Sequence, residues 1–168
     1  MTPADLSASN RPALKRVAVL ARWFLGACFL YMGLKKALAP YEFLEIVREY
    51  GVVASPVLLN SIAALLPWFE VFCGILLIAG VAVRGSALVL IAMLVPFTVL
   101  VVRRGLALAA AQHLPFCGVK SDCGCGNGET FTCHKLVENT GLLLLSCWLL
   151  CDRSGRLWLR FNLVGDDN

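Results

Sequence analysis

Charged residues are scarce in this sequence, and nowhere do they form a dense run of one sign. Asp, Glu, Lys and Arg make up 15% of the 168 residues, whereas soluble domains carry about 25%. Hydrophobic residues make up 59%, and the mean hydropathy is +0.77. This composition argues against a soluble domain. The net charge is +4, but the basic residues are too scattered for a nucleic-acid-binding protein.

Four long apolar stretches contain very little charge, and each predicts a membrane-spanning helix. They lie at residues 17–38, 57–83, 85–102 and 136–151. A helix needs about 20 residues to cross the hydrocarbon of a bilayer, so the fourth stretch fits least well. Single charges inside the stretches are Arg22, Glu70 and Glu138, and Lys35 and Lys36 close the first stretch.

The other segments complete a single membrane domain over residues 1–168. They are a polar N-terminal tail at 1–15, a cysteine loop at 105–135 and a C-terminal tail at 152–168. After the first stretch, "PYEFLEIVREYGVVASP" places apolar and charged residues on different helix faces, which predicts a short interfacial helix between Pro40 and Gly51. We therefore expect an all-α membrane protein: a four-helix bundle with one interfacial helix and a cysteine-rich extramembrane loop.

The distribution of basic residues predicts the orientation of this bundle. Four spans place both termini on one side, and the 15 basic residues then divide into eight on that side and seven on the other. The eight lie in shorter segments, which carry more weight in setting orientation. We expect the termini in the cytoplasm and the cysteine loop outside.

The loop "FCGVKSDCGCGNGETFTCHK" holds four of the eight cysteines of the chain. They are Cys117, Cys123, Cys125 and Cys133. A disulfide between Cys123 and Cys125 would close a small, strained ring, and strain makes a disulfide more oxidising. This pair therefore suits thiol–disulfide exchange, with Cys117 and Cys133 as candidates for a second pair that reloads the first or stabilises the loop.

Two other interpretations of the loop stay open. In an oxidising compartment the four cysteines could form two structural disulfides. Alternatively, the same four thiols with His113 or His134 nearby could bind zinc or copper. The spacing lacks the paired C-x2-C motifs that are usual for structural zinc.

Glu70 is a further candidate for a functional residue, because an ionisable group within a membrane span is energetically costly. It could move protons beside a redox centre, stay protonated, or form a structural pair with Lys35 or Lys36. The cysteines outside the loop are expected to pack as small hydrophobic residues. They are Cys28, Cys73, Cys147 and Cys151.

Several motifs, taken together and in order, resemble the MauE/DoxX family of redox-associated membrane proteins. They are "FLYMGLKKALAPYEF", "EYGVV", "LLPWFEVFCGILLIAG", "RRG" and "DCGCG". The resemblance covers roughly residues 22 to 150. By position, its first-helix signature falls on Gly33, Lys36 and Pro40, its second-helix signature on Pro67, Trp68, Glu70 and Gly74, and its C-G-C on Cys123 and Cys125.

The resemblance implies a four-helix bundle in a bacterial inner membrane. It also implies a role in maturing an exported, disulfide-rich dehydrogenase beside a thioredoxin-like partner. The outline is similar to the DsbB and vitamin K epoxide reductase bundles, which couple thiols to quinone, although nothing in the sequence shows a quinone site. The chain departs from the family pattern in having Gly126 after the C-G-C and in adding His113, Cys117, Cys133 and His134.

From these observations we hypothesise a membrane protein for thiol–disulfide exchange or electron relay. Cys123 and Cys125 would exchange, Cys117 and Cys133 would form the second pair, and Glu70 would handle protons. Its partner would be an exported thioredoxin-like or disulfide-containing protein. The alternatives are a non-enzymatic scaffold with structural disulfides, and a metal-binding membrane protein that uses the four loop cysteines and His134.

Overall fold

A computed structural model of the chain describes residues 11–51, 55–122 and 129–151. The helices in these ranges are α1 (Arg11–Leu38), α2 (Pro40–Glu49), α3 (Pro56–Ala79), α4 (Val83–Gln112) and α5 (Thr132–Cys151). A single 3-10 turn, Phe116–Gly118, precedes two short strands, β1 (Lys120–Asp122) and β2 (Glu129–Phe131). The predicted C-terminal tail lies outside the described residues, as does most of the predicted N-terminal tail. The last part of the N-terminal tail, residues 11–15, belongs to α1.

Three helices in the described ranges are long and apolar enough to cross a membrane. They are Arg16–Leu38 of α1, all of α3 and all of α4. The chain is therefore a multi-pass, predominantly helical membrane protein, which confirms the first three predicted spans in outline. A helix also occupies the fourth predicted stretch, and α2 occupies the segment predicted to lie on the membrane surface.

α3 ends earlier than the predicted second span, which was expected to reach residue 83. Gly80 adopts a left-handed conformation, with φ of 78°, directly after Ala79. The N–H of Gly80 donates to the carbonyl of Leu77, and the N–H of Val81 donates to that of Leu76. This is the Schellman arrangement that glycine favours at helix ends.

α4 continues ten residues beyond the predicted end of the third span at residue 102, as far as Gln112. The extension, "RRGLALAAAQ", is rich in alanine and leucine, which favour helix. Arginine also has a high helix propensity, so a pair of arginines marks a change in polarity without ending the helix. As a result, the connection between α4 and α5 is residues 113–131, shorter than the predicted loop of 105–135.

α1 and α3 pack with their backbones almost in contact. A Cβ added at Gly26 would lie 2.8 Å from the carbonyl oxygen of Gly74, and one added at Gly33 would lie 2.8 Å from that of Pro67. Small residues at helix crossings allow this close packing within a membrane. The apolar core that these helices share with α4 and α5 includes Leu25, Phe29, Leu77, Leu90 and Leu142.

The chain between α4 and α5 forms a small antiparallel hairpin at one end of the bundle. Strand β1 pairs with β2 so that Lys120 lies opposite Phe131 and Asp122 opposite Glu129. The hairpin joins α5 directly, since the N–H and hydroxyl of Thr132 both donate to the carbonyl of the fully buried Val119. The hairpin is therefore anchored to the start of a bundle helix.

The close contact between α1 and α3 leads to a prediction about stability. A Cβ at position 74 would lie 2.8 Å from the carbonyl of Gly26 and 2.9 Å from the amide nitrogen of Leu30, and these backbone atoms cannot move independently of their helix. We expect Gly74→Ala to destabilise the bundle by about 1–3 kcal/mol. The measurement is a thermal unfolding curve of the purified protein in detergent.

The matched control is Gly141→Ala, since a Cβ at position 141 of α5 would meet nothing within 4 Å. That change replaces glycine by the best helix former and should leave the melting temperature unchanged or raise it. Equal melting temperatures for the two variants would contradict the proposed packing constraint.

Candidate functional site

A buried ion pair joins α1 to α3. The ammonium nitrogen Nζ of Lys36 lies 2.6 Å from Oε1 and 2.8 Å from Oε2 of Glu70. The two side chains are 6% and 8% exposed. Of the interpretations open for Glu70, the structure therefore places it in a pair with Lys36.

The close helix packing brings these two side chains together. Gly33 lies almost one turn before Lys36, and its missing side chain lets α3 approach, since a Cβ there would lie 2.9 Å from the Cβ of Glu70. At this distance the long side chain of Lys36 reaches the carboxylate with both oxygens in hydrogen-bonding range. Such a charge-assisted, two-oxygen contact offsets part of the large cost of removing both charges from water.

Other helices complete the surroundings of the pair. The Nζ atom of Lys36 lies 5.4 Å from the ring centroid of Phe43 in α2 and 5.9 Å from that of Phe97 in α4. Aromatic faces at such distances stabilise a cation. A cavity of about 40 Å³ lies beside the pair and is also lined by Asn139 of α5. Residues from all five helices therefore meet at this point.

Asn139 introduces an unsatisfied hydrogen-bond donor into this cavity. Its side chain is 2% exposed, and its Nδ2 has no hydrogen-bond partner among the described residues. A buried donor without a partner costs roughly 1–3 kcal/mol. The cavity is large enough for about one or two water molecules, and a water there could accept a hydrogen bond from the amide.

A disulfide between Cys117 and Cys133 lies at the base of the hairpin. The Cα atoms are 4.9 Å apart, and the sulfurs are bonded. Cys117 belongs to the 3-10 turn after α4, while Cys133 lies in the first turn of α5. Cys117 is exposed and Cys133 is partly buried, so an external thiol has access to this disulfide.

Cys123 and Cys125 lie outside the described residues. They belong to residues 123–128, which connect β1 to β2. The paired positions Asp122 and Glu129 mark the two ends of this connection, so its ends are held together. The sequence thus carries the C-G-C motif in the segment that joins the two strands.

Of the five proposed metal ligands, Cys117, Cys133 and His134 lie in the described residues, and the other two do not. In ranges 11–51, 55–122 and 129–151, no three His, Cys, Asp or Glu side chains are placed to hold a metal ion. Two of the suggested ligands, Cys117 and Cys133, are bonded to each other. His134 is exposed beside them. With this disulfide formed, neither of its sulfurs is available as a thiolate ligand.

The disulfide and the ion pair occupy the same end of the bundle. α1 ends and α5 begins at the end that carries the hairpin, and Lys36 is two residues from the end of α1. Asn139 lies six residues after Cys133, or about 9 Å along α5. The cavity beside the ion pair is therefore below the cysteine hairpin, but none of its described lining residues is a cysteine.

Sequence reasoning missed two polar features of α5. Asn139 was not singled out, although an amide within an apolar helix is a signal for an internal hydrogen-bonding site. Lys135 lies within the predicted loop at 105–135, yet its side chain is 2% exposed and its Nζ lies 2.7 Å from Oε2 of Glu138. By contrast, Trp68, a motif position, is 60% exposed and points away from the core.

The other cysteines differ in burial. Cys73 is buried in the core, and Cys28 and Cys147 are partly buried. Cys151 is exposed at the end of α5. All four are free thiols, so the disulfide among the described residues is the one at the hairpin.

A family model described as "Methylamine utilisation protein MauE" matches residues 14–152 of the chain. This range includes all three spans, the hairpin and α5. It confirms the MauE part of the resemblance drawn from the motifs. No curated protein and no solved structure matches the chain.

The ion pair generates a prediction about energetic coupling. Lys36→Met leaves the Glu70 carboxylate buried without a positive partner. Glu70→Gln leaves the Lys36 ammonium buried without a negative partner. We expect each single change to destabilise the protein by about 3–5 kcal/mol. The double variant, which removes both charges, should be clearly more stable than the sum of the two effects implies. Thermal unfolding of the four proteins in detergent measures this double-mutant cycle. Strict additivity would show that the two charges do not interact.

Proposed function

The chain belongs to the MauE family, and on that premise we propose that it is a membrane protein for thiol–disulfide exchange or electron relay. It would support disulfide formation in, or maturation of, an exported partner. The exchanging pair would be Cys123 and Cys125, with Cys117 and Cys133 as the second pair. The membrane would be the bacterial inner membrane, with the termini in the cytoplasm and the cysteine hairpin in the periplasm.

The observation that carries this proposal is the accessible disulfide at the base of the hairpin. Cys117 is exposed, and its bond to Cys133 fixes it against the start of α5. The C-G-C motif lies in the six-residue connection of the same hairpin. Four thiols that can form two pairs are therefore carried on one small element at one end of the bundle.

The exchange follows ordinary thiol–disulfide chemistry. A thiolate of one pair attacks a sulfur of the other pair's disulfide, which forms a mixed disulfide and releases the second sulfur as a thiolate. The remaining thiol of the attacking pair then resolves the mixed disulfide. One pair is oxidised as the other is reduced, so two electrons pass between them and no other reactant is consumed.

Glu70 takes a different role in this proposal from the sulfurs. It is held by Lys36, and no described residue lining the adjoining cavity is a cysteine. We therefore propose that the Lys36–Glu70 ion pair beside this cavity serves to hold α1 in position against α3. Proton movement through Glu70 would require the cavity to exchange water with the hairpin side.

The partner would bind at the hairpin end. Near the disulfide, Phe131 and Leu114 are 48% and 46% exposed, and the ammonium of Lys120 lies 5.0 Å from the ring centroid of Phe131. Apolar side chains beside an accessible disulfide suit a protein surface that presents its own cysteine pair. An exported thioredoxin-like or disulfide-containing protein has this chemistry.

The proposed topology includes α5 as a fourth span and α2 as an interfacial helix. α5 has 20 residues, enough to cross the hydrocarbon, and it begins where the hairpin ends. Its two charged groups in the first two turns, Lys135 and Glu138, pair with each other. In α2, Phe43 is buried against the bundle, whereas Glu42 and Glu45 are exposed, as expected for a helix between lipid and water.

A second candidate function is a scaffold with a structural disulfide, and one observation favours it. The Cys117–Cys133 bond ties the 3-10 turn to α5 beside the fully buried Val119. A Cβ at Gly105 of α4 would lie 2.5 Å from Cγ2 of Thr132 and 2.9 Å from Cε2 of Phe116, so this region is tightly packed. A disulfide at such a place could serve only to brace the fold.

Differential alkylation in native membranes, followed by peptide mass spectrometry, tests the exchange. We expect a Cys123–Cys125 link that mild reductant opens readily, and a Cys117–Cys133 link that opens after it. With both Cys123 and Cys125 changed to alanine, oxidation of an exported dithiol substrate should be lost, while the helices still fold. Cys147→Ala removes a partly buried thiol far from the hairpin and should leave the pattern unchanged.

Other results would decide against the relay. If both links resist reductant and the double alanine variant keeps function, the scaffold is the better account. Thiols that become reactive only after a chelator is added would point to a bound metal.

Reporter fusions test the fourth span and the orientation. If α5 crosses the membrane, green fluorescent protein fused at either terminus should fluoresce, since it folds in the cytoplasm but not after export by the general secretory route. Alkaline phosphatase, which needs export, should be active when inserted between residues 123 and 128 and inactive at the C-terminus. Active phosphatase at both the hairpin and the C-terminus would mean that α5 does not cross the membrane, whereas activity at the C-terminus alone would mean four spans in the opposite orientation.

A further inference from the structure

A second polar groove, separate from the cysteine hairpin, lies where α2 meets α4. It has a volume of about 410 Å³. Two consecutive arginines of α4, Arg103 and Arg104, line it together with Glu49, Tyr50 and Leu100. Neither the ion-pair cavity nor the disulfide shares any of these residues.

The fold holds one of the two arginines in place. The guanidinium of Arg104 contacts the carboxylate of Glu49 at the end of α2. Its Cζ also lies 5.2 Å from the ring centroid of Tyr50. The Nε of Arg104 is buried and has no hydrogen-bond partner among the described residues. The guanidinium is therefore oriented by two contacts and keeps unused donor capacity.

The groove carries an unbalanced positive charge. Two arginines and one glutamate line it, and Glu49 is already engaged by Arg104. In the described part of the chain, Arg103 is exposed and has no carboxylate within salt-bridge distance. The groove is therefore suited to an anion, and a guanidinium pair matches the oxygens of a phosphate group in charge and geometry.

The length of α4 sets the depth of the groove in the membrane. With 30 residues, α4 is about 45 Å long, whereas the hydrocarbon core is about 30 Å thick. Counting about 20 residues from Val83 places the end of the hydrocarbon close to residue 102. Arg103 and Arg104 then lie at the level of the lipid headgroups, where phosphate groups are the abundant anions.

The other lining residues fit a lipid better than a free ion. Leu100, one turn before Arg104, and Ala107, one turn after Arg103, give the groove apolar walls beside the guanidinium groups. Tyr50 is amphipathic and suits the membrane–water boundary. We infer that this groove binds the phosphate of an anionic phospholipid, in the leaflet that faces the cysteine hairpin. This inference does not depend on the thiol chemistry.

The test uses the full chain purified in detergent and titrated with dioleoylphosphatidylglycerol, with bound lipid counted by native mass spectrometry. Parallel titrations use dioleoylphosphatidylcholine, which has no net charge, and inorganic phosphate. We expect one tightly bound phosphatidylglycerol per chain. Arg103→Gln and Arg104→Gln should each weaken that binding roughly tenfold, the loss expected for one charge-assisted hydrogen bond.

Arg16→Gln is the matched control. It removes the same charge from an exposed arginine at the start of the first span, at the opposite end of the bundle, and should leave the affinity unchanged. Arg103→Gln breaks no ion pair among the described residues. If Arg104→Gln fails to fold, Arg103→Gln alone therefore tests whether the groove binds the lipid.

Three outcomes would overturn the inference. Equal losses for Arg16→Gln and Arg103→Gln would show diffuse attraction between a basic protein and an anionic lipid. Undiminished binding by Arg103→Gln would exclude the groove. Inorganic phosphate that binds with the same dependence on Arg103, while phosphatidylglycerol does not bind, would assign the site to a free anion.

Discussion

The ion pair between Lys36 and Glu70 is the constraint on which the rest of the bundle depends. Two charges buried within the membrane are tolerable only if their atoms stay in contact, which demands that α1 and α3 keep one register and one separation. Gly26, Gly33 and Gly74 supply that separation by leaving the helix backbones free to touch. Helix packing and ion pairing therefore support each other.

The pair also organises the other helices. Phe43 of α2 and Phe97 of α4 present their rings to the same ammonium, and Asn139 of α5 completes the cavity beside it. At the opposite end of α3, the guanidinium of Arg22 lies close to Gly80, where an added Cβ would be 2.7 Å from Nη1. There, a positive charge lies at the C-terminal end of α3, which the helix dipole favours. The α1–α3 pair thus has an ion pair towards one end and a basic side chain near the other.

Much of this architecture could be predicted from the sequence, since membrane spans follow from local composition. The three spans and the candidate pairing of Glu70 with a lysine needed only hydropathy and the cost of a buried charge. The end of α3 at Gly80 and the extension of α4 to Gln112 depend on backbone conformation and helix propensity, which hydropathy does not report. Asn139 was missed although its amide in an apolar helix is a local signal, because the cavity that it lines forms only when all five helices meet. The hairpin was missed because its strands have only three residues each, too few for a clear alternating pattern. The sequence singled out Cys117 and Cys133 as a candidate pair, but only the fold shows them bonded beside α5.

The hairpin is closed at its base in two independent ways. The strands pair as far as Asp122 and Glu129, and the disulfide joins the chain on either side of them. The two ends of the connection at 123–128 are therefore held close together. We therefore expect a substitution, insertion or deletion there to leave the packing of the bundle unchanged. In evolutionary terms, the membrane domain fixes the two ends of this connection, so its residues other than Cys123 and Cys125, the pair proposed to exchange, can vary without disturbing the helices.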